Sequence, residues 1–149
     1  EKFTAQTGIH TRFVQDNQST SKFGVIRGLH FQKGVYAQAK LVRVVKGSVL
    51  DIAVDLRKDS PSFGQSISII LSKENKKQLF VPRGFAHGFS VLEDNTVFAY
   101  KCDRVYNKES ERGIIYNDAT LALNWHLSNT EMIISKKDLE LPTFAALTL

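Results

Sequence analysis

AKLVRVVKGSVLDIAVDLR, residues 39–57, reads as two β-strands joined by a turn at Lys46, Gly47 and Ser48. Side chains alternate between the two faces of a strand. Lys40, Val42 and Val44 therefore share one face, and Ala39, Leu41, Arg43 and Val45 share the other. In the second strand Leu50, Ile52, Val54 and Leu56 form an apolar stripe, while Asp51 lies with Val49 and Ala53. Lys40 and Asp51 thus stand on mostly apolar faces. An unpaired polar group in such a place costs several kcal/mol, of order 2–7, so something must compensate both. A ligand cavity in the mouth of a barrel is one such compensation.

The β signal continues on both sides of this stretch, from about residue 23 to residue 106. QSISIILS (65–72), KQLFVP (77–82), HGFSVLED (87–94) and NTVFAYKCDRVY (95–106) are rich in β-branched and aromatic residues, and polar or Gly-containing turns separate them. Many short strands at this spacing predict an antiparallel sandwich or barrel. By the same alternation Tyr100 shares a face with Phe98 and Cys102. ISKKDLELPTF (134–144) differs, with a polar start, a short helical stretch and a Pro break. No repeat, low-complexity tract or linker interrupts the 149 residues, so one domain is expected over 1–149.

The net charge of +5 raises nucleic acid as a partner. The cations are scattered, however, and SKENKKQ (72–78) reads as a solvated turn, so no nucleic-acid partner is expected. No apolar run approaches the roughly 20 residues of a membrane helix, and EKFTAQTGIH shows no signal-peptide core. One cysteine, Cys102, fits a reducing cytoplasm and reads as a small hydrophobe in a strand.

PRGFAHGF (82–89) matches the P-x-G-x-x-H pattern of the second cupin motif, in which the His enters the barrel. Many cupins use that His as a metal ligand together with an earlier H-x-H. Here the earlier segment is LHFQKG, with His30 alone and Gln32 where a second His would stand. His30 and His87 are too few for a catalytic transition metal, which takes about three protein ligands, so no metal is expected. His10 and His126 read as surface residues. There is no G-x-S-x-G elbow, P-loop or G-x-G-x-x-G. Arg27, His30, Lys40, His87 and Tyr100 remain: a base, an acid and cations. That set suits proton abstraction beside a carbonyl, where the enolate oxygen needs a positive charge.

Long ordered segments carry a family resemblance: FVQDNQSTSKFGVIRGLHFQ, AQAKLVRVVKGSVLDIAVDLRKDSPSFGQ, LSKENKKQLFVPRGFAHGFSVL, YKCDRVYNKESERGIIYND and ISKKDLELP. Together they resemble the dTDP-4-dehydrorhamnose 3,5-epimerases, sugar-nucleotide epimerases of L-rhamnose biosynthesis, from about Phe13 to Pro142. The resemblance implies an all-β, cupin-type jelly-roll with a short C-terminal helical segment. It implies His30 as general base, Asp138 as its orienting partner, Tyr100 as the acid on the opposite face of the sugar, and Lys40 beside the C4 oxygen. It further implies substrate contacts from Gln15, Asp16, Asn17, Arg27, His87, Glu111 and Lys137, with Tyr106 stacking on the nucleotide.

The implied activity is epimerisation at C3 and C5 of dTDP-4-dehydro-6-deoxy-D-glucose, without cofactor. A relative that epimerises one carbon or isomerises the ketone is the nearest alternative. A metal-dependent cupin dioxygenase and a non-catalytic sugar-nucleotide binding module are the others. The lone His of the first motif weighs against the dioxygenase, and the complete acid–base set against the binding module. A cytoplasmic homodimer is expected, because family members are dimers and the SVLDIAVDL strand wants cover on both faces. The family's N-terminal nucleotide-contacting segment has no counterpart in this sequence and is expected to be missing.

Overall fold

The structure, a computed structural model, describes residues 2–147. Its strands are β1 (Gln15–Ser21), β2 (Val25–Gln32), β3 (Lys40–Lys46), β4 (Ser48–Asp55), β5 (Ser66–Ser72), β6 (Gln78–Val81), β7 (Phe85–Val91), β8 (Thr96–Cys102), β9 (Glu111–Gly113) and β10 (Ile133–Ile134). Two short helices, α1 (Lys2–Thr7) and α2 (Lys136–Leu139), stand near the ends. One sheet runs in the order β1-β8-β3-β6 and the other β10-β2-β7-β4-β5, with β9 added to β2. Every pairing is antiparallel except β10 with β2. This is the jelly-roll that the strand pattern and the resemblance led us to expect.

Alternation builds the core between the sheets. Val42 and Val44 of β3 and Phe98 of β8 meet Val49, Leu71, Phe89 and Val91 of the other sheet. The Phe89 and Phe98 rings stack with centroids 4.2 Å apart. The opposite face of the six-stranded sheet carries a second cluster: Leu50, Ile52 and Val54 of β4 and Ile26 of β2 pack with Ile114 and Trp125. Trp125 is fastened by its indole N–H to the Tyr116 carbonyl at 2.8 Å, and its own carbonyl accepts from the buried Ser90 hydroxyl at 2.6 Å. Every residue of β4 is buried.

That second cluster corrects one expectation. The apolar stripe of β4 is covered by the chain's own C-terminal half, including Leu121, Leu123 and Phe144. It therefore gives no argument for a second copy.

Candidate active site

Arg27 and His30 are three residues apart, so strict alternation would point them to opposite faces of β2. The pairing of β2 with β7 shifts register between these two residues. Gly28 sits at the shift with φ +115°, a conformation L side chains rarely adopt, and an added Cβ would lie 2.7 Å from the Gly88 Cα and the His87 carbonyl oxygen. Leu29 then turns into the outer cluster, fully buried, while Arg27 and His30 both line the space between the sheets. The glycines of RGLH and AHG are what let these two backbones approach so closely.

That space is a cavity of about 730 Å3, walled by β2 and β7 on one side and by β1, β3 and β8 on the other. His30 is its most telling residue. Its Nε2 lies 2.9 Å from Oδ1 of Asp138, which is almost fully buried. The parallel pairing of β10 with β2 delivers α2 to this spot, and the Ser135 side chain caps the helix by accepting from the Asp138 N–H at 3.1 Å. Burial pushes the Asp138 carboxyl up, but His30 and the Gly28 N–H outweigh it and hold the group below its ordinary value. The other ring nitrogen of His30, Nδ1, is buried and has no hydrogen-bond partner among the described residues. Its nearest charge is Oε1 of Glu111 at 4.0 Å, too far for a hydrogen bond.

Across the cavity stand Lys40 of β3 and Tyr100 of β8. The Lys40 ammonium is 5.9 Å from the Tyr100 ring centroid, within cation–π range. Burial pushes the Lys40 ammonium below its ordinary pKa, against Cys102, Asp51 and Glu111, which favour the charged form. Burial pushes the Tyr100 phenol up, and Cys102 and Glu111 add to it. The deep end is closed by a buried pair: Nε2 of His87 lies 2.9 and 3.0 Å from the two oxygens of Asp51. This is the compensation that Asp51, fully buried on an apolar face, required.

The mouth is polar. Gln15 and Asn17 of β1 are joined by a 2.9 Å hydrogen bond, and the Tyr106 hydroxyl donates to Oε2 of Glu111 at 2.9 Å. Glu111 also pairs with the Lys137 ammonium. Burial opposes ionisation of Glu111, but Lys137, Tyr106 and the His30 charge together keep its pKa low. Among the described residues no group of three or more His, Cys, Asp or Glu side chains is arranged to hold a metal.

The dTDP-4-dehydrorhamnose 3,5-epimerase family model matches residues 1–146. The chain belongs to this family. A dTDP-4-dehydrorhamnose 3,5-epimerase of Shigella flexneri is 50% identical over 137 residues, 92% of this chain and 75% of that protein. The crystal structure of the same enzyme from Elizabethkingia anophelis superposes with a TM-score of 0.93 at 53% identity, covering 97% of this chain and 79% of that one. An epimerase from Legionella pneumophila, solved in complex with dTDP-4-keto-L-rhamnose, gives 0.93 at 47% identity, covering 99% and 77%.

Of the residues singled out from this epimerase's sequence, Gln15, Asn17, Arg27, His30, Lys40, His87, Tyr100, Tyr106 and Glu111 all line the one cavity. Asp138 stands behind His30, and Lys137 reaches the rim through Glu111. Asp16 touches the rim, but its exposed carboxylate is taken up by Lys101 at 2.6 Å. His10 and His126 are exposed and outside the cavity. Cys102 is buried in β8 and lines the cavity wall. Sequence reasoning did not single out Gln18, Ser19, Gln38 or Phe89 as cavity-lining. The Asp51–His87 pair had a visible signal in the misplaced charge of Asp51, though not its partner.

Proposed function

We propose that this chain epimerises C3 and C5 of dTDP-4-dehydro-6-deoxy-D-glucose to dTDP-4-dehydro-L-rhamnose. The observation that carries the reading is the unpartnered Nδ1 of His30, set in the cavity wall opposite Tyr100. Asp138 accepts from Nε2–H, so the lone pair of the neutral ring resides on Nδ1. Nδ1 takes the proton from the carbon beside the C4 ketone, and the C–H electrons move into the enolate, placing charge on the C4 oxygen. Lys40 faces that charge from a desolvated position, where its attraction is stronger in the transition state than in the ground state. Tyr100 returns a proton to the carbon from the other sheet, which inverts the centre. His30 then gives its proton to solvent, Tyr100 regains one, and the sequence repeats at the second carbon.

Arg27, His87, Gln15 and Asn17 hold the sugar and diphosphate in this reading, and Tyr106 with Glu111 and Lys137 forms the nucleotide end. The family model and the relatives from Shigella flexneri and Elizabethkingia anophelis, which are 3,5-epimerases by name, favour double epimerisation over a single-centre or ketoisomerase reaction. We also propose a cytoplasmic homodimer with one catalytic domain per chain, as the resemblance implies; light scattering across a concentration series tests the dimer. The catalytic reading is tested by following deuterium uptake from D2O at C3 and C5 by NMR, with wild-type enzyme and a His30→Ala variant.

A further inference from the structure

Gln32 ends β2 two residues beyond His30, at the position where metal-binding members of the fold place a second histidine. It is buried, 7% exposed, and lines the cavity. Its amide makes three contacts, none within its own strand. Nε2 donates to the Tyr36 carbonyl at 2.8 Å and to the Val105 carbonyl at 3.5 Å. Oε1 accepts from the Asn107 N–H at 2.6 Å. Two carbonyls on one side and an N–H on the other fix which way the amide points, and only a primary amide serves all three.

The two segments it joins are the 3-10 turn Gly34–Tyr36 and the run from Arg104 to Asn107, whose Tyr106 lines the cavity. Tyr106 lies between the two backbone groups that Gln32 holds. Its ring is half exposed, so packing alone does not set its position. The segment's other ties include the Tyr106 N–H to Gln15 at 2.8 Å, the Tyr106 hydroxyl to Glu111 at 2.9 Å and the Arg104 carbonyl to Gln38 at 2.7 Å, all exposed to water, and two bonds between Asn107 and Ser110. The Gln32 bonds are part-buried and so the stronger constraint, because losing them leaves their partners partly desolvated and unpaired.

We propose that Gln32 is a positioning residue that fixes Tyr106 at the cavity mouth and so sets affinity for the aromatic base of a nucleoside-diphosphate sugar, without taking part in proton transfer. The proposal rests on the function proposed above for its nucleotide half. The residue that elsewhere in the fold would bind a metal here clamps the entrance.

The test uses Gln32→Met, which keeps the shape and removes all three bonds, and Gln32→Glu, which keeps only the acceptor. Amide hydrogen exchange on the free enzyme should speed up at Asn107 and its neighbours by on the order of tenfold, with the β3–β8 core unchanged. Kd for dTDP and KM should rise together by roughly tenfold for Gln32→Met and less for Gln32→Glu, with kcat changed by less than about threefold. Adding Tyr106→Ala to Gln32→Met should then cost little further affinity. Unchanged exchange and affinity in both variants, a fall in kcat as large as the loss of affinity, or loss of the far-UV circular dichroism of both would overturn the proposal. A wild-type enzyme that does not bind dTDP would sink the proposed function and the affinity claim with it, and the exchange pattern would still decide the clamp.

Discussion

Nε2 of His30 lies 2.9 Å from Oδ1 of Asp138, while Nδ1 of the same ring is buried without a partner among the described residues. One carboxylate thereby decides where the proton of the neutral imidazole sits and which nitrogen is left basic. In the proposed reaction the same carboxylate stabilises the imidazolium that proton abstraction creates.

Asp138→Asn should therefore lower kcat, on the order of 10²-fold or more, without loss of the fold. Steady-state kinetics of the variant, with far-UV circular dichroism to follow the fold, checks both statements.

Lys40 and Tyr100 make opposite demands on the alkaline side. In the proposed reaction Lys40 has to be charged, and its pKa is pushed down, whereas Tyr100 has to be protonated, and its pKa is pushed up. In that reaction, loss of the Lys40 proton as pH rises ends its working state. The alkaline limb of kcat/KM should accordingly lie below the ordinary lysine value of about 10.4. Lys40→Arg should move that limb upward even where it lowers the rate, and Tyr100→Phe should leave it in place.

How much of this was legible in the chain depends on whether alternation held. It held in β3, β4 and β8, where Lys40, Asp51 and Tyr100 were assigned to faces that the structure gives them. It failed in β2, where the register shift at Gly28 puts Arg27 and His30 on one side. β1 was not singled out, because QDNQSTS has no apolar residue to alternate; as an edge strand it forms the polar cavity wall instead. Glu111 reaches the cavity on the three-residue β9, and Asp138 reaches His30 on the four-residue α2 that follows the two-residue β10, all too short for any periodic signal. Their place came from the family resemblance alone.

Asp55, the last residue of β4, gives a stability prediction away from the cavity. Its buried carboxylate accepts from the Arg57 side chain at 2.7 and 2.9 Å, from Ser60 at 2.6 Å and from Ser62 at 2.7 Å. The Arg57 hydrogen bond leads in holding its pKa far below the ordinary carboxylate range. Such a group stabilises the fold fully above its unfolded value, near 3.9, and loses that contribution as pH falls toward its folded value. Asp55→Asn should cost about 1–3 kcal/mol at pH 7. The gap to wild type should narrow as pH drops below about 4, as urea unfolding at neutral and acid pH would show.

The central claim is that His30 removes the proton beside the ketone and Tyr100 returns one from the other side. NMR detection of deuterium uptake from D2O at C3 and C5 reads the two roles separately. Wild type should incorporate deuterium at both carbons with inversion. His30→Ala should lose exchange at both by on the order of 10²–10⁴-fold, since no enolate forms without the base. Tyr100→Phe should suppress inversion more than exchange, because His30 can return a solvent proton to the original face. Near-normal exchange in His30→Ala would contradict the account, and normal inversion in Tyr100→Phe would place the acid on another residue.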